Sequence, residues 1–213
     1  MLRYNLEIMS VALSLLGLLQ VAAGSKIDKT TTRYFTLFYS FLFLYSSSVI
    51  AGFVLKEYKG TAAYIGNASA CFCELFFAIF LTYFITRYLL YSVDPKKRKK
   101  PVWFISTCLM TVQVVLLVIS QFTGFYYTID SSTQYHRSSG YIVYFILWFI
   151  FMGFSVFILI KYRSNLSKKK KTAFSIYFFL PLITNVIQII FYGFYFSSIA
   201  TAITGLAMYF FIV

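Results

Sequence analysis

The chain has 213 residues, of which 60% are hydrophobic and 12% charged, with 26 Phe and 19 Tyr; soluble domains carry about 25% charged residues. A water-soluble core of this length cannot bury that much apolar bulk, so the solvent for most of the chain is read as lipid and the protein as a polytopic membrane protein. The net charge of +13 does not point to nucleic acid, because Lys and Arg fall in short blocks between apolar runs, as membrane orientation signals do, and no polar segment is long enough to carry a phosphate-binding face.

The first apolar run is Leu6 to Ala23, behind the polar head Arg3-Tyr4-Asn5. Glu7 and Asn5 make a poor start for a signal peptide, so the run is read as a retained helix. Lys26, Lys29 and Arg33 lead into a second run, Tyr34 to Leu55. After a turn over Lys56, Glu57, Lys59 and Gly60, a third run goes from Ala62 to Val93, long enough to tilt or project beyond a bilayer. Asp94-Pro95 ends it, since the residue before Pro is pushed out of helical geometry. A Lys/Arg block at 96–100 precedes the fourth run, Pro101 to Phe122.

The segment FYYTIDSSTQYHRSSGY, 125–141, follows. Aromatic and polar residues alternate on both sides of a Ser131-Ser132-Thr133-Gln134 turn, which predicts a short β-hairpin. Asp130 and Arg137 are expected to pair across it, with Tyr127 and Tyr135 helping to hold a lid over the helices. The fifth run is Tyr141 to Ile160. Lys161, Arg163 and Lys168 to Lys171 separate it from a sixth, Thr172 to Phe191, which contains Pro181. A turn at Gly193 to Ser198 leads to a seventh run, Ile199 to Val213.

The expected fold is therefore all-α: one seven-helix transmembrane domain over residues 1–213, with a short outer hairpin between helices four and five. Of the 19 Lys and Arg, 15 fall on loops one, three and five, which makes those loops cytoplasmic, the N-terminus external and the C-terminus internal. Because the seventh run ends while still apolar, a cytoplasmic output domain is expected beyond it.

Catalytic motifs are absent: there is one His and no nucleophile elbow or P-loop. The three Cys are read as packing residues. Neither a metal nor a cofactor is expected, and the chain is read as non-enzymatic. Polar residues inside spans are the stronger signal, since each costs free energy in hydrocarbon. Glu74 is read as the only acid deep within a span, which excludes a carboxylate pair there. Asn67, Gln113, Asn185 and Gln188 lie at similar depth and serve either as interhelical hydrogen bonds or as the walls of a ligand cavity. Pro181 removes a backbone hydrogen bond and is either a static bend or a hinge.

FYYTID (125–130), YHRSSGY (135–141) and PLITNVIQIIFYG (181–193) together resemble the N-terminal seven-helix membrane region of bacterial signalling proteins. In those proteins this region precedes a diguanylate cyclase (GGDEF-type) or histidine kinase output domain. The matching positions are Tyr127, Ile129, Asp130, Tyr135 and Arg137 in the loop, and Pro181, Gln188 and Gly193 in the sixth span. Where the family has Gly after the loop Arg, this chain has Ser138-Ser139 before Gly140. The resemblance implies a sensor in a bacterial plasma membrane that reads a small ligand or membrane condition, within a homodimer. The alternative from the residues is a small transporter coupling protons through Glu74.

Overall fold

The computed structural model describes residues 2–24, 28–96, 100–190 and 196–212. They form seven helices: α1 (Leu2–Ala23), α2 (Lys29–Leu55), α3 (Thr61–Val93), α4 (Lys100–Thr123), α5 (Tyr141–Lys161), α6 (Lys168–Ile190) and α7 (Ser197–Ile212). Between α4 and α5 the strands β1 (Tyr127–Ile129) and β2 (Tyr135–Arg137) pair antiparallel, with Tyr127 opposite Arg137. The fold class is all-α.

Five helices, α1 to α5, are long and apolar enough to cross a membrane. α7 is apolar over 16 residues, about 24 Å at 1.5 Å per residue, against a hydrocarbon core of about 30 Å. α6 opens with four lysines, and over its described length it does not join the five. Large apolar side chains stand on the outside of the bundle, among them Phe122, 87% exposed, and Phe104, 70% exposed. Such an outer surface suits a lipid environment and would be a liability in water.

Of the helices that start earlier than the hydropathy pattern predicts, α2 and α6 each have a cap that explains it. The Asp28 side chain accepts from the Thr31 backbone N–H at 3.0 Å, so α2 begins at Lys29 rather than Tyr34; carboxylates favour helix N-termini. Partial burial pushes the Asp28 carboxyl up. Hydrogen bonds from Thr31 and from the Tyr91 hydroxyl outweigh that and hold it below its ordinary value. Similarly, Ser167 accepts from the Lys170 N–H at 3.3 Å, and the Lys168 to Lys171 block forms the first turn of α6 instead of a loop.

The helices close into a ring in the order α1, α2, α3, α5, α6, α7, with α4 packed outside against α3 and α5. The larger core lies away from the hairpin, where Phe35, Phe38, Tyr39 and Leu42 of α2 meet Tyr88 and Leu89 of α3, Phe174 and Phe178 of α6, and Met208 of α7. α7 approaches α2 so closely that a Cβ at Gly205 would stand 2.5 Å from the Phe38 ring. A smaller core lies under the hairpin and joins Leu75 and Ile79 of α3, Leu117 of α4, Tyr126 and Tyr127 of the loop, and Tyr144 of α5.

Candidate functional site

Between these two cores is a cavity of about 80 Å³. Its walls come from five helices: Tyr45 of α2, Glu74 of α3, Tyr144 and Trp148 of α5, Tyr177, Pro181 and Asn185 of α6, and Thr201 of α7. Three residues singled out by sequence, Glu74, Pro181 and Asn185, therefore line one space. Pro181 lets this happen locally, because its carbonyl accepts from the Asn185 side-chain amide at 2.8 Å. The second amide proton of Asn185 goes to Ser197 Oγ at 3.1 Å, tying α6 to α7.

Two other sequence candidates lie elsewhere. Asn67 is buried and donates from Nδ2 to the Thr133 carbonyl at 2.8 Å, so it anchors the hairpin turn to α3. Gln113 donates from Nε2 to the Leu147 carbonyl at 3.2 Å, joining α4 to α5. Neither lines the cavity. The Gln188 side chain and Gly193 lie outside the described residues.

The hairpin is held at several points. Its inward face carries Tyr127, Ile129, Tyr135 and Arg137; Thr128 and His136 face out. Tyr127 and Tyr135 stack with ring centroids 5.4 Å apart, and the Tyr127 hydroxyl donates to Gln121 Oε1 at 3.0 Å. Thr133, at φ 64°, lies in the left-handed region. Its hydroxyl stands 2.9 Å from the Tyr58 carbonyl and 3.2 Å from that of Lys56, docking the turn on the α2–α3 connection.

The expected Asp130–Arg137 pair is not the one that forms. Asp130 accepts from the Ser132 N–H at 2.9 Å, the Ser132 hydroxyl at 2.7 Å and the Gln134 N–H at 2.9 Å, and its Oδ2 stands 2.9 Å from His136 Nε2. The reason is strand alternation: Asp130 follows Ile129 and so shares the outward face with His136, while Arg137 points to the inward one. The hydrogen bond from Ser132, then that from His136, holds the Asp130 carboxyl well below the usual carboxylate range. Arg137 instead lies over the ring of Tyr141, 4.5 Å from its centroid, and its field reaches Glu74.

Sequence reasoning missed Glu7. Its place near the start of the first apolar run marks it only as a poor signal-peptide residue, and Glu74 stands as the expected lone acid deep in a span. In the structure Glu7 lies within a candidate span of α1 and is 1% exposed, against α7. Ser198 Oγ donates to its Oε1 at 2.6 Å, and its Oε2 has no hydrogen-bond partner. Next to it, Ser10 and Ser46 bond to each other at 2.8 Å. Glu7 is thus a buried acid within the candidate spans besides Glu74, which corrects the expectation that Glu74 is the only one. The missed signal was the spacing of Glu7, Ser10 and Ser14, a polar stripe on one helix face inside an apolar run.

Among the described residues no group of three or more His, Cys, Asp or Glu gathers to hold a metal ion. No family model matches the chain, and no curated protein or solved structure matches it. Function is therefore argued from the site.

Proposed function

We propose that this chain is the sensor module of a transmembrane receptor. All seven helices cross the membrane, with the N-terminus and hairpin outside and the C-terminus in the cytoplasm. The cavity reads a small ligand or membrane condition, and the change passes along α6 and α7 to a cytoplasmic signalling output within a homodimer. One observation carries the reading: a single cavity joins Glu74 of α3 to Pro181 and Asn185 of α6 and to Thr201 of α7. Occupancy there alters the contacts of the two helices that lead inward. Pro181 lacks the N–H that would bond Tyr177, so α6 has a weakened turn at the cavity wall. The basic blocks at 96–100 and 168–171 would face the cytoplasm. The likeness to bacterial sensor regions supports the same reading.

The test uses spin labels at Ser167 and Phe210 in nanodiscs. Filling the cavity with Ala78→Phe is expected to change their separation; an unchanged separation in a folded protein overturns the proposal. A second reading, a proton-coupled transporter, is favoured by Glu7, a buried acid within the candidate spans besides Glu74. Vesicles carrying an internal pH dye separate the two. A proton flux abolished by Glu74→Gln establishes the transporter, and a leak equal to that of protein-free vesicles supports the receptor.

A further inference from the structure

Four tyrosines, Tyr45, Tyr141, Tyr144 and Tyr177, line the cavity with hydroxyls that can donate or accept, and three of its other polar residues offer acceptors. Both amide protons of Asn185 are already used, on the Pro181 carbonyl and Ser197 Oγ, so what it has left to offer is its carbonyl oxygen. The Thr201 hydroxyl spends its proton on the Ser197 carbonyl at 2.7 Å and keeps only lone pairs. An ionised Glu74 carboxylate accepts and does not donate. Tyr45, Tyr144 and Trp148 also line the space, and aromatic rings attract cations. Among the described residues neither Lys nor Arg lines the space. Arg137 of the hairpin is the charged group whose field reaches Glu74.

We propose that the cavity binds a small primary ammonium ion, with Glu74 as counter-ion, Asn185 Oδ1 and Thr201 Oγ1 as acceptors for its N–H groups, and the aromatic walls around its carbon chain. The volume sets the size. About 80 Å³, at roughly 10–15 Å³ for each water-sized group, holds roughly five to eight non-hydrogen atoms. A four- or five-carbon amine fits; a nucleotide or a sugar does not. An anion would meet two acceptors and a carboxylate, and a neutral alcohol would forfeit the charge that Glu74 offers. This inference rests on the cavity being the signal-reading site.

The test is thermal unfolding of the full chain in nanodiscs with butylammonium, butanol and butyrate, three probes of nearly equal size. A ligand that binds only the folded state raises the melting temperature with concentration. Butylammonium is expected to give saturable stabilisation with an affinity at least tenfold above that of butanol, with no effect from butyrate. Glu74→Gln should reduce the butylammonium affinity tenfold or more. Equal effects of butylammonium and butanol, binding of butyrate, or no stabilisation by the ammonium overturn the proposal, as does an unchanged affinity in a folded Glu74→Gln protein. The probe comparison needs no variant, so it stands even where Glu74→Gln misfolds. Failure of amine binding removes only the ligand class. Glu74-dependent proton flux removes the receptor reading and leaves the binding result in force.

Discussion

The anchoring of the hairpin turn by Asn67 gives the sharpest quantitative expectation. Asn67→Leu keeps the side-chain volume close but removes the donor to the Thr133 carbonyl, which lies 2.8 Å from Nδ2. Both residues are buried, Thr133 completely, so the carbonyl is left without its partner and out of reach of water. An orphaned buried acceptor costs about 1–3 kcal/mol. The Thr133 hydroxyl keeps its contacts with Tyr58 and Lys56, so the turn should open more often rather than detach. Amide hydrogen exchange in nanodiscs reads this opening directly, because local opening free energies set the protection. At about 1.4 kcal/mol per factor of ten, exchange across residues 130–137 should quicken by roughly 5- to 150-fold. The amides of α2 around Phe38 should not change. Thr133→Val in the same background should be non-additive with Asn67→Leu, since residues in contact couple by about 0.5–3 kcal/mol. Unchanged exchange in the hairpin, or equal acceleration through the whole bundle, would refute the anchoring role.

Three further outcomes follow from the same geometry. Glu7→Gln keeps an acceptor for Ser198 and should leave the melting temperature within a few degrees, whereas Ser198→Val leaves the buried Glu7 carboxyl without a hydrogen-bond donor and should cost about 1–3 kcal/mol in denaturant unfolding. For Asp130 the folded carboxyl titrates below its unfolded value. Its contribution to hairpin stability is therefore complete above about pH 5 and lost as pH falls below about 4, so hairpin protection factors, which remove the intrinsic pH dependence of exchange, should fall with acid in the parent protein and stay constant over that range in Asp130→Asn. In a background with the three native cysteines replaced, a cysteine at Gln134 should react with an impermeant thiol reagent added outside intact cells. One at Lys169 should react only after permeabilisation, and the reverse pattern would invert the proposed topology.

The helices were largely legible in the sequence because apolar runs of about 20 residues separated by charges carry a strong signal. Their starts were not, since hydropathy does not register a cap such as Asp28 or Ser167 and the lysines after it were taken for loop. The paired strands at 127–129 and 135–137 could be read from alternation around a turn. The same alternation, carried one residue further, puts Asp130 with His136 and Arg137 with Tyr141; opposite charge alone points to the Asp130–Arg137 pairing. Of the cavity, Glu74, Pro181 and Asn185 stood out as costly residues in apolar runs. The aromatic walls did not, because a Tyr facing a cavity and a Tyr facing lipid look alike in a sequence with 19 of them.

The distribution of packing bears on where a signal can be received. The end of the bundle away from the hairpin is filled by interlocking rings: Phe35 meets Tyr209 edge-on at 5.3 Å, and Tyr88 lies 5.6 Å from Phe174. Aromatic pairs of this kind are worth about 0.5–1.5 kcal/mol each beyond the area they bury, and they leave little room to rearrange. The hairpin half also holds a cavity, two acids within the candidate spans, Glu7 and Glu74, and a proline in the wall helix. Each of these lowers the cost of local change. A bundle rigid at one end and adjustable at the other does not lose a perturbation near Glu74 within the cavity. α6 and α7 pass from the adjustable half into the rigid one, through Tyr177 and Phe178 on one helix and Met208 and Tyr209 on the other. On the proposed receptor reading these are two of the five cavity-lining helices that also enter the larger core and so can carry a change in the cavity toward the far end.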